Sequence, residues 1–215
     1  MALAKRRIRC WVLAERLGQK DYHWGMLSQR IQQQFIDSAD FKYQCAQVLA
    51  TPIDSAIQAI FASVTNGGKV LVAGAGVTQP LAQYLSTLLL GRFERTRPEL
   101  AAVTLGRSLL GGEFETQGLA REVRALGVAE DLLLVLSAKG GEGALSAAVD
   151  AAHERDMTVV AVVGGLDGEL LQALQDTDVA ISIPSDQVGR VLEIHQMILH
   201  CICDGIDVHL LGDGQ

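Results

Sequence analysis

The sequence predicts an α/β protein with a five-stranded parallel sheet flanked by helices. Apolar runs typical of strands recur at 69–73, 101–105, 131–136, 157–163 and 179–183. Stretches with helical spacing separate them at about 78–90, 116–126, 141–155 and 168–175, and a last helix is expected over about 186–204. Near-continuous apolar strands that alternate with helices indicate a parallel sheet covered on both faces.

An N-terminal helical pair is expected before the first strand. Apolar residues recur at helical spacing over 26–50, which predicts the first helix. Pro52 interrupts this pattern, and a second helix is predicted from Asp54 to about Val64. The glycines at 67 and 68 then end that helix.

Composition predicts a protein with a sizeable core. The chain has 215 residues, of which 49% are hydrophobic and 20% charged. No apolar run approaches the roughly 20 residues that a membrane helix needs, so we expect no membrane contact and a cytoplasmic protein. Four scattered cysteines, at 10, 45, 201 and 203, indicate reduced thiols and not a disulfide framework.

The first 25 residues differ from the rest of the chain. They carry six Lys or Arg against Glu15 and Asp21, so their charge is +4 and that of the remainder is −11. We interpret 1–25 as a basic N-terminal extension, either loosely ordered or not native, and 26–215 as a single domain. The acidic body argues against strong direct binding to DNA.

Two glycine-containing loops follow predicted strands and leave the same edge of the sheet. The first contains Gly74, Gly76 and Thr78, and Thr78 is a plausible cap for the next helix. The second runs over 137–143. Such loops offer backbone N–H groups to an anion. A dinucleotide site is the weaker interpretation, because the third glycine of that motif is missing.

Five blocks in a specific order carry a family resemblance: GKVLVAGAG (68–76), GRFERTRPEL (91–100), VRALGVAEDLLLVLS (123–137), ERDMTVVAVVGGLDGEL (154–170) and EIHQMILHCICDGID (193–207). Over 26–211 the chain resembles a sugar isomerase (SIS) domain of the phosphoheptose isomerase type, and most of all the DnaA initiator-associating protein family. The resemblance implies a flavodoxin-like three-layer fold. It also implies a phosphosugar pocket formed by Gly74, Gly76, Thr78, Ser137, Lys139, Gly140 and Glu142.

The resemblance also implies that catalytic residues are missing. The isomerases use a Glu and a His as an acid/base pair, and these positions are Leu88 and His200 here. Leucine cannot transfer a proton, so His200 is interpreted as a remnant. Tyr84 and Leu192 take the places of two zinc ligands of some relatives, so we expect neither a metal nor another cofactor.

Two further departures affect the predicted pocket. Glu142 replaces a phosphate-binding serine of the enzymes, and the connection 106–112 lacks an Asn-Asp pair that lines their active site. A carboxylate about 5 Å from a phosphate costs on the order of 3 kcal/mol per unit charge at an effective dielectric of about 20. We therefore expect at most weak sugar phosphate binding and no isomerase activity.

The resulting prediction is a non-catalytic SIS-domain adaptor that binds the replication initiator DnaA and promotes assembly at the chromosomal origin. It is expected to act as a homo-oligomer, specifically a tetramer. The resemblance places the partner contact on Leu210 and Leu211, just past the last predicted helix. The alternative is a phosphoheptose (sedoheptulose 7-phosphate) isomerase or a phosphosugar-binding regulator.

Overall fold

A computed structural model describes residues 20–106 and 117–213, with side chains from residue 26 onward. The chain divides into two compact units, Met1–Tyr43 and Gln44–Gln215. The interpretation of residues 1–25 falls mostly on positions outside the described residues. The proposed division into a 1–25 extension and a 26–215 domain therefore stays a prediction.

The second unit contains a five-stranded, fully parallel sheet with the strand order β2-β1-β3-β4-β5. Its strands are β1 (Val70–Gly74), β2 (Ala102–Thr104), β3 (Leu132–Ser137), β4 (Thr158–Gly164) and β5 (Val179–Ile183). The predicted α/β class and the five-stranded parallel sheet are confirmed.

Six helices are present in the described part of the chain: α1 (Lys20–Thr65), α2 (Gln79–Leu90), α3 (Gly118–Leu126), α4 (Gly143–His153), α5 (Glu169–Gln172) and α6 (Val188–Leu211). A short 3₁₀ turn, Gly76–Thr78, precedes α2. Alternate strand residues point to opposite faces of a sheet, and here both faces are covered. One face packs against α3, α4 and α5 through buried residues that include Leu71, Val135, Leu119, Val149 and Leu170.

Helix α1 continues through Pro52, so the helix break expected there is absent. An interior proline costs about 3 kcal/mol, since one helix hydrogen bond is lost and the ring crowds the preceding turn. Beyond it Ile57 and Ile60 are buried, and each buried side chain of this size contributes about 1.5–3 kcal/mol. Ile57 lies against Gly205 of α6, where an added Cβ would be 2.5 Å from the Ile57 Cδ1 atom. Burial of this segment therefore offsets the cost of the proline.

Helix α6 is longer than expected and ends at Leu211, where Gly212 adopts a φ of 77°. Leu210 and Leu211 therefore lie inside its last turn and not beyond it. Leu210 is partly buried and Leu211 is 40% exposed. The helix passes Gly205 without a break because that glycine gives Ile57 room to pack.

The segment Met26–Thr65 of α1 is long and apolar enough to cross a membrane by length and composition alone. This differs from the expectation that no stretch of the chain approaches the length of a membrane helix. It is weak evidence, because core helices of water-soluble proteins pass the same test. Within the second unit, Cys45 and Leu49 of this helix are buried like Ile57 and Ile60.

Candidate functional site at the carboxyl edge of the sheet

The loop between β1 and α2 is held by Thr78. This side chain is fully buried, and its hydroxyl donates to the Leu136 carbonyl of β3 at 2.6 Å and accepts from the Ala75 N–H at 3.0 Å. It does not cap α2 through its side chain. Thr78 therefore joins the first loop to the end of β3, and its hydroxyl points inward.

Both glycines of this first loop are needed for its shape. A Cβ on Gly74 would lie 2.6 Å from the Thr78 carbonyl oxygen, so only glycine lets the turn close this tightly. Gly76 has a φ of +55° and open space around its Cα. The predicted loop is thus a tight turn with an accessible backbone.

Ser137 is the centre of the second loop. Its side chain is fully buried at the end of β3, and its hydroxyl accepts the Gly140 N–H at 2.6 Å and the Lys139 N–H at 3.3 Å. The same hydroxyl donates to Oε2 of Glu142, the residue that precedes α4. The Lys139 side chain is exposed. Glu142 therefore turns toward the loop.

A third loop, between β4 and α5, supports the second from behind. The Gly140 carbonyl accepts the Leu170 N–H at 3.2 Å, and Gly140 itself has a φ of 72°. A Cβ on Gly164 would lie 2.2 Å from the Ala138 carbonyl oxygen, and one on Gly168 would lie 2.6 Å from that of Gly140. Sequence reasoning missed this support, although the glycines at 164, 165 and 168 after an apolar strand were a signal for it.

His200 lies among aromatic side chains between α2 and α6. Its Nε2 atom is 2.9 Å from the Tyr84 hydroxyl, and the ring centroid of Phe93 is 5.1 Å from that of the imidazole. The His200 side chain is only partly buried. Sequence reasoning considered Tyr84 only as a lost zinc ligand. Its position one helical turn before Leu88 already placed it on the same helix face.

Next to the contact between Tyr84 and His200, a buried ion pair holds α2 and α6 together. Arg97 Nε is 2.6 Å from Asp207 Oδ1, and the two side chains are 0% and 1% exposed. The guanidinium also donates to the carbonyls of Leu88 and Leu89, in the last turn of α2. Arg97 thus satisfies helix-end carbonyls and fixes the position of the helix that carries Tyr84.

His195 is fully buried, one and a half turns before His200. Its Nδ1 is 2.9 Å from the Val191 carbonyl and its Nε2 is 3.1 Å from the Val162 carbonyl of β4. Burial lowers the pKa of His195, although both carbonyls and the charge of Glu142 act in the opposite direction. This environment is that of a structural histidine.

The zinc site of some relatives does not fit these residues. Of the two zinc-ligand positions, Leu192 has no donor atom, and the Tyr84 hydroxyl lies 2.9 Å from Nε2 of His200. Across 20–106 and 117–213, no group of three His, Cys, Asp or Glu side chains lies close enough to hold a metal ion. The connection 106–112 lies outside the described residues beyond Gly106.

Cys201 and Cys203, which both lie in α6, are unsuited to act as nucleophiles. Burial raises the pKa of Cys203 to about 12, and burial together with the charge of Asp204 raises the pKa of Cys201. Both are free thiols, as is Cys45. A thiol with a raised pKa is mostly protonated at neutral pH and a poor nucleophile.

A parallel sheet with two glycine-containing loops at its carboxyl edge places the chain in the doubly wound α/β class, in which this edge is the usual position of a ligand. The family model described as SIS domain matches residues 34–164, and the chain therefore belongs to the SIS domain family.

Several relatives are similar over nearly their whole length. The phosphoheptose isomerase of Methylibium petroleiphilum is 45% identical over 195 residues, which are 88% of this chain and 98% of that protein. The phosphoheptose isomerase of Azoarcus sp. is 41% identical over 86% of this chain and 98% of its own. A phosphoheptose isomerase structure from Francisella tularensis has a TM-score of 0.78 at 35% identity, covering 83% of this chain and 97% of that one.

These relatives correct two predictions. The prediction of a non-catalytic adaptor for DnaA is wrong, because the relatives at 38–45% identity bear the name of an enzyme. The prediction that the chain is probably not an enzyme is wrong for the same reason. Both rested on departures at a few positions, namely Leu88, the two zinc-ligand positions, Glu142 and the missing Asn-Asp pair, whereas the similarity extends along the chain. No partner is now assigned to Leu210 and Leu211.

Proposed function

We propose that this chain is a phosphosugar isomerase of the phosphoheptose isomerase class. Such an enzyme interconverts the ketose and aldose forms of a seven-carbon sugar phosphate, for example sedoheptulose 7-phosphate. The observation that carries the proposal is the 45% identity to a protein of that name across 98% of its length. We therefore retain the alternative from the sequence analysis, a phosphoheptose isomerase, in place of the DnaA adaptor.

The proposed proton-transfer groups are His200 and Tyr84. An aldose–ketose isomerase removes a proton from one carbon and returns it to the neighbouring carbon through an enediol, so no net oxidation occurs. This needs a group that alternates between base and acid. The imidazole of His200 can do so, and the 2.9 Å contact with the Tyr84 hydroxyl provides a path for a second proton. Tyr84 thereby offers the hydroxyl partner that Leu88 cannot.

The proposed phosphate position is the second loop, next to the first. The backbone N–H groups of Lys139 and Gly140 both donate to the Ser137 hydroxyl, so the polar groups of this loop gather at the end of β3. Gly74 and Gly76 keep the neighbouring turn free of side chains. The exposed ammonium group of Lys139 adds a positive charge. Thr78 contributes by holding the first loop in place.

The remaining expectations belong to the same proposal. The reaction proposed here uses side chains alone, so no cofactor is included. We expect the protein in the cytoplasm, where sugar phosphates are metabolised, and we expect it to be a homo-oligomer, specifically a tetramer.

The test is a turnover assay with sedoheptulose 7-phosphate, in which product aldose is followed by chromatography. Wild-type protein should convert the ketose. His200→Asn should lower kcat by about 10²–10⁴-fold, the usual contribution of a general acid–base. Tyr84→Phe should lower kcat by at least tenfold, because the ring stays and only the proton-carrying oxygen is lost. His209→Asn is the matched control, since His209 lies exposed in the last turn of the same helix.

Absence of turnover by folded wild-type protein would overturn the proposal, and so would full activity of His200→Asn. If His200→Asn is inactive but Tyr84→Phe is as fast as wild type, the catalytic role of His200 stands and that of Tyr84 fails. Circular dichroism of each variant shows whether a loss reflects unfolding.

A further inference from the structure

Glu142 has no role in the reaction described above, yet its carboxylate occupies the loop that the proposal assigns to phosphate. Oε2 accepts the hydrogen bond of the Ser137 hydroxyl. The same hydroxyl accepts the N–H groups of Gly140 and Lys139. Two backbone donors of the loop therefore converge on the Ser137 hydroxyl, and that hydroxyl donates its own proton to a carboxylate of this chain.

The loop around this carboxylate is rigid. Ser137 is fully buried, and Gly140 is fixed from behind by the Leu170 N–H and by the close approach of Gly168. Ala138 is held against Gly164. The loop therefore cannot widen easily to accept a second anion beside the first.

Glu142 is held to the loop by its hydrogen bond with Ser137 but is otherwise less enclosed than the loop. Its side chain is only partly buried, and it makes no hydrogen bond that caps α4. Rotation about its side-chain torsions moves the carboxylate to solvent without disturbing the helix. Its charge also reaches His195, whose pKa it acts to raise, which agrees with a carboxylate placed toward the interior edge of the loop.

We propose that Glu142 is a specificity-determining residue that occupies the anion position of the β3–α4 loop and must leave it before a phosphate group can bind. This inference rests on the proposed function because it concerns the phosphate position of the same site. Two anions at hydrogen-bond distance from one hydroxyl repel each other, since their charges have the same sign and lie close together. The residue therefore selects against small phosphates and favours ligands whose other groups supply enough binding energy to displace it.

The test measures the affinity of inorganic phosphate and of sedoheptulose 7-phosphate by isothermal titration calorimetry at 0.15 M salt. Glu142→Gln removes the charge but keeps the size and the hydrogen-bond acceptor. We expect Kd for inorganic phosphate to fall at least tenfold in this variant. Glu142→Ser, which also empties the space, should lower it at least as much. The double variant Ser137→Ala/Glu142→Gln should lose the increase in phosphate affinity that Glu142→Gln alone produces.

Glu169→Gln is the matched control. Glu169 is another exposed carboxylate at the start of a helix beside the same loops, and it makes no contact with Ser137 among the described residues. Its removal should change Kd less than twofold. An equal gain in Glu169→Gln would mean that net charge alone governs binding, and the inference would fail.

An unchanged or weaker phosphate affinity in both Glu142 variants would also overturn the inference. Thermal unfolding of each variant confirms that the folded protein is being titrated, and the serine variant serves if the glutamine variant does not fold. Tighter phosphate binding without turnover by the wild type would leave this inference standing and overturn the isomerase. Turnover by the wild type, with unchanged phosphate affinity in the Glu142 variants, would support the isomerase and overturn this inference.

Discussion

His195 and His200 lie on one helix, but their ring nitrogens have different surroundings. Both nitrogens of His195 face backbone carbonyls and the ring is fully buried, so it cannot reach a ligand. Nε2 of His200 faces a phenol hydroxyl, and the side chain is partly exposed. A neutral imidazole donates from one nitrogen only, so one of the two carbonyls at His195 lacks a proton. Burial thus determines a structural role for one histidine and permits a chemical role for the other.

We expect His195 to make the protein sensitive to acid. Burial lowers the pKa of His195 in the folded state, whereas the unfolded chain has the ordinary value of about 6.5. Below that pH the unfolded state binds more protons than the folded state, so the free energy of unfolding decreases as the pH falls. The contribution of His195 is complete above pH 6.5 and is lost as the pH falls from 6.5 toward the lowered pKa.

Urea unfolding at pH 7.5 and 5.5 checks this expectation. His195→Asn should be less stable than wild type at pH 7.5, and the difference should shrink at pH 5.5, because the variant lacks the titrating group. His209→Asn serves as the control, as His209 lies exposed in the last turn of the same helix. A difference that stays constant or grows at pH 5.5 would show that the pKa of His195 is not lowered.

Residue identities in the two loops were predictable, but the directions of their side chains were not. The glycines and hydroxyl residues after apolar strands indicated the loops and their common edge. The hydroxyl of Thr78 turns inward because its acceptor, the Leu136 carbonyl, belongs to a strand 58 residues away. Glu142 turns toward Ser137 instead of solvent. Such choices depend on neighbours that only the folded chain brings together.

At the scale of elements, the loop between β4 and α5 determines the shape of the proposed phosphate loop. Gly164 ends β4 directly beneath Ala138, and we expect Gly164→Ala to lower the free energy of unfolding by about 1–3 kcal/mol, the usual cost of overpacking. Because the new Cβ would be 2.2 Å from the Ala138 carbonyl oxygen, the second loop must shift. Phosphate affinity should fall together with stability, as measured by urea unfolding and calorimetry.

Gly189→Ala is the control for this substitution. Gly189 lies in the first turn of α6, and nothing lies within 4 Å of an added Cβ there. Alanine in place of glycine within a helix stabilises it by roughly 0.5–1 kcal/mol, so this variant should be slightly more stable than wild type. If Gly164→Ala is as stable as Gly189→Ala, the close packing at Ala138 does not constrain the loop.

Strands were easier to predict than helix ends. Each predicted strand overlaps the observed one, because a strand buried on both faces must be apolar throughout. Helix α1 was predicted to break at Pro52, and α6 was expected to end near Gly205. Local propensity favours both breaks. The contact between Ile57 and Gly205 joins these two helices and overrides that local propensity. No local sequence pattern reveals this contact.

At the scale of the whole molecule, similarity along the chain outweighs one lost carboxylate. Leu88 removes a proton carrier, and this loss, together with Glu142, the lost zinc ligands and the missing Asn-Asp pair, led the sequence argument away from an enzyme. The relatives named phosphoheptose isomerase match 85–88% of the chain. The neighbouring Tyr84 hydroxyl also provides a different partner for His200. Missing catalytic residues therefore predict a changed site better than they predict a lost function.

The first unit exposes an apolar stripe on α1. Leu27, Ile31 and Phe35 are spaced four residues apart, so they lie on one helix face, and their side chains are 50%, 51% and 76% exposed in the single chain. Isolated exposed hydrophobic residues are common, but a continuous stripe of this kind is typical of an interface. The expectation of a homo-oligomer gives this stripe a partner, namely a second copy of the chain.

We therefore expect sedimentation equilibrium of the wild type to give four times the 23.0 kDa chain mass. The double variant Ile31→Glu/Phe35→Glu should dissociate to smaller species, because each apolar side chain contributes about 1.5–3 kcal/mol when buried and a buried unpaired carboxylate opposes association. Gln29→Glu adds a charge at an exposed position on the opposite side of the same helix and should leave the mass unchanged. A monomeric wild type would refute the expected tetramer. A double variant with the wild-type mass would place the interface away from this stripe.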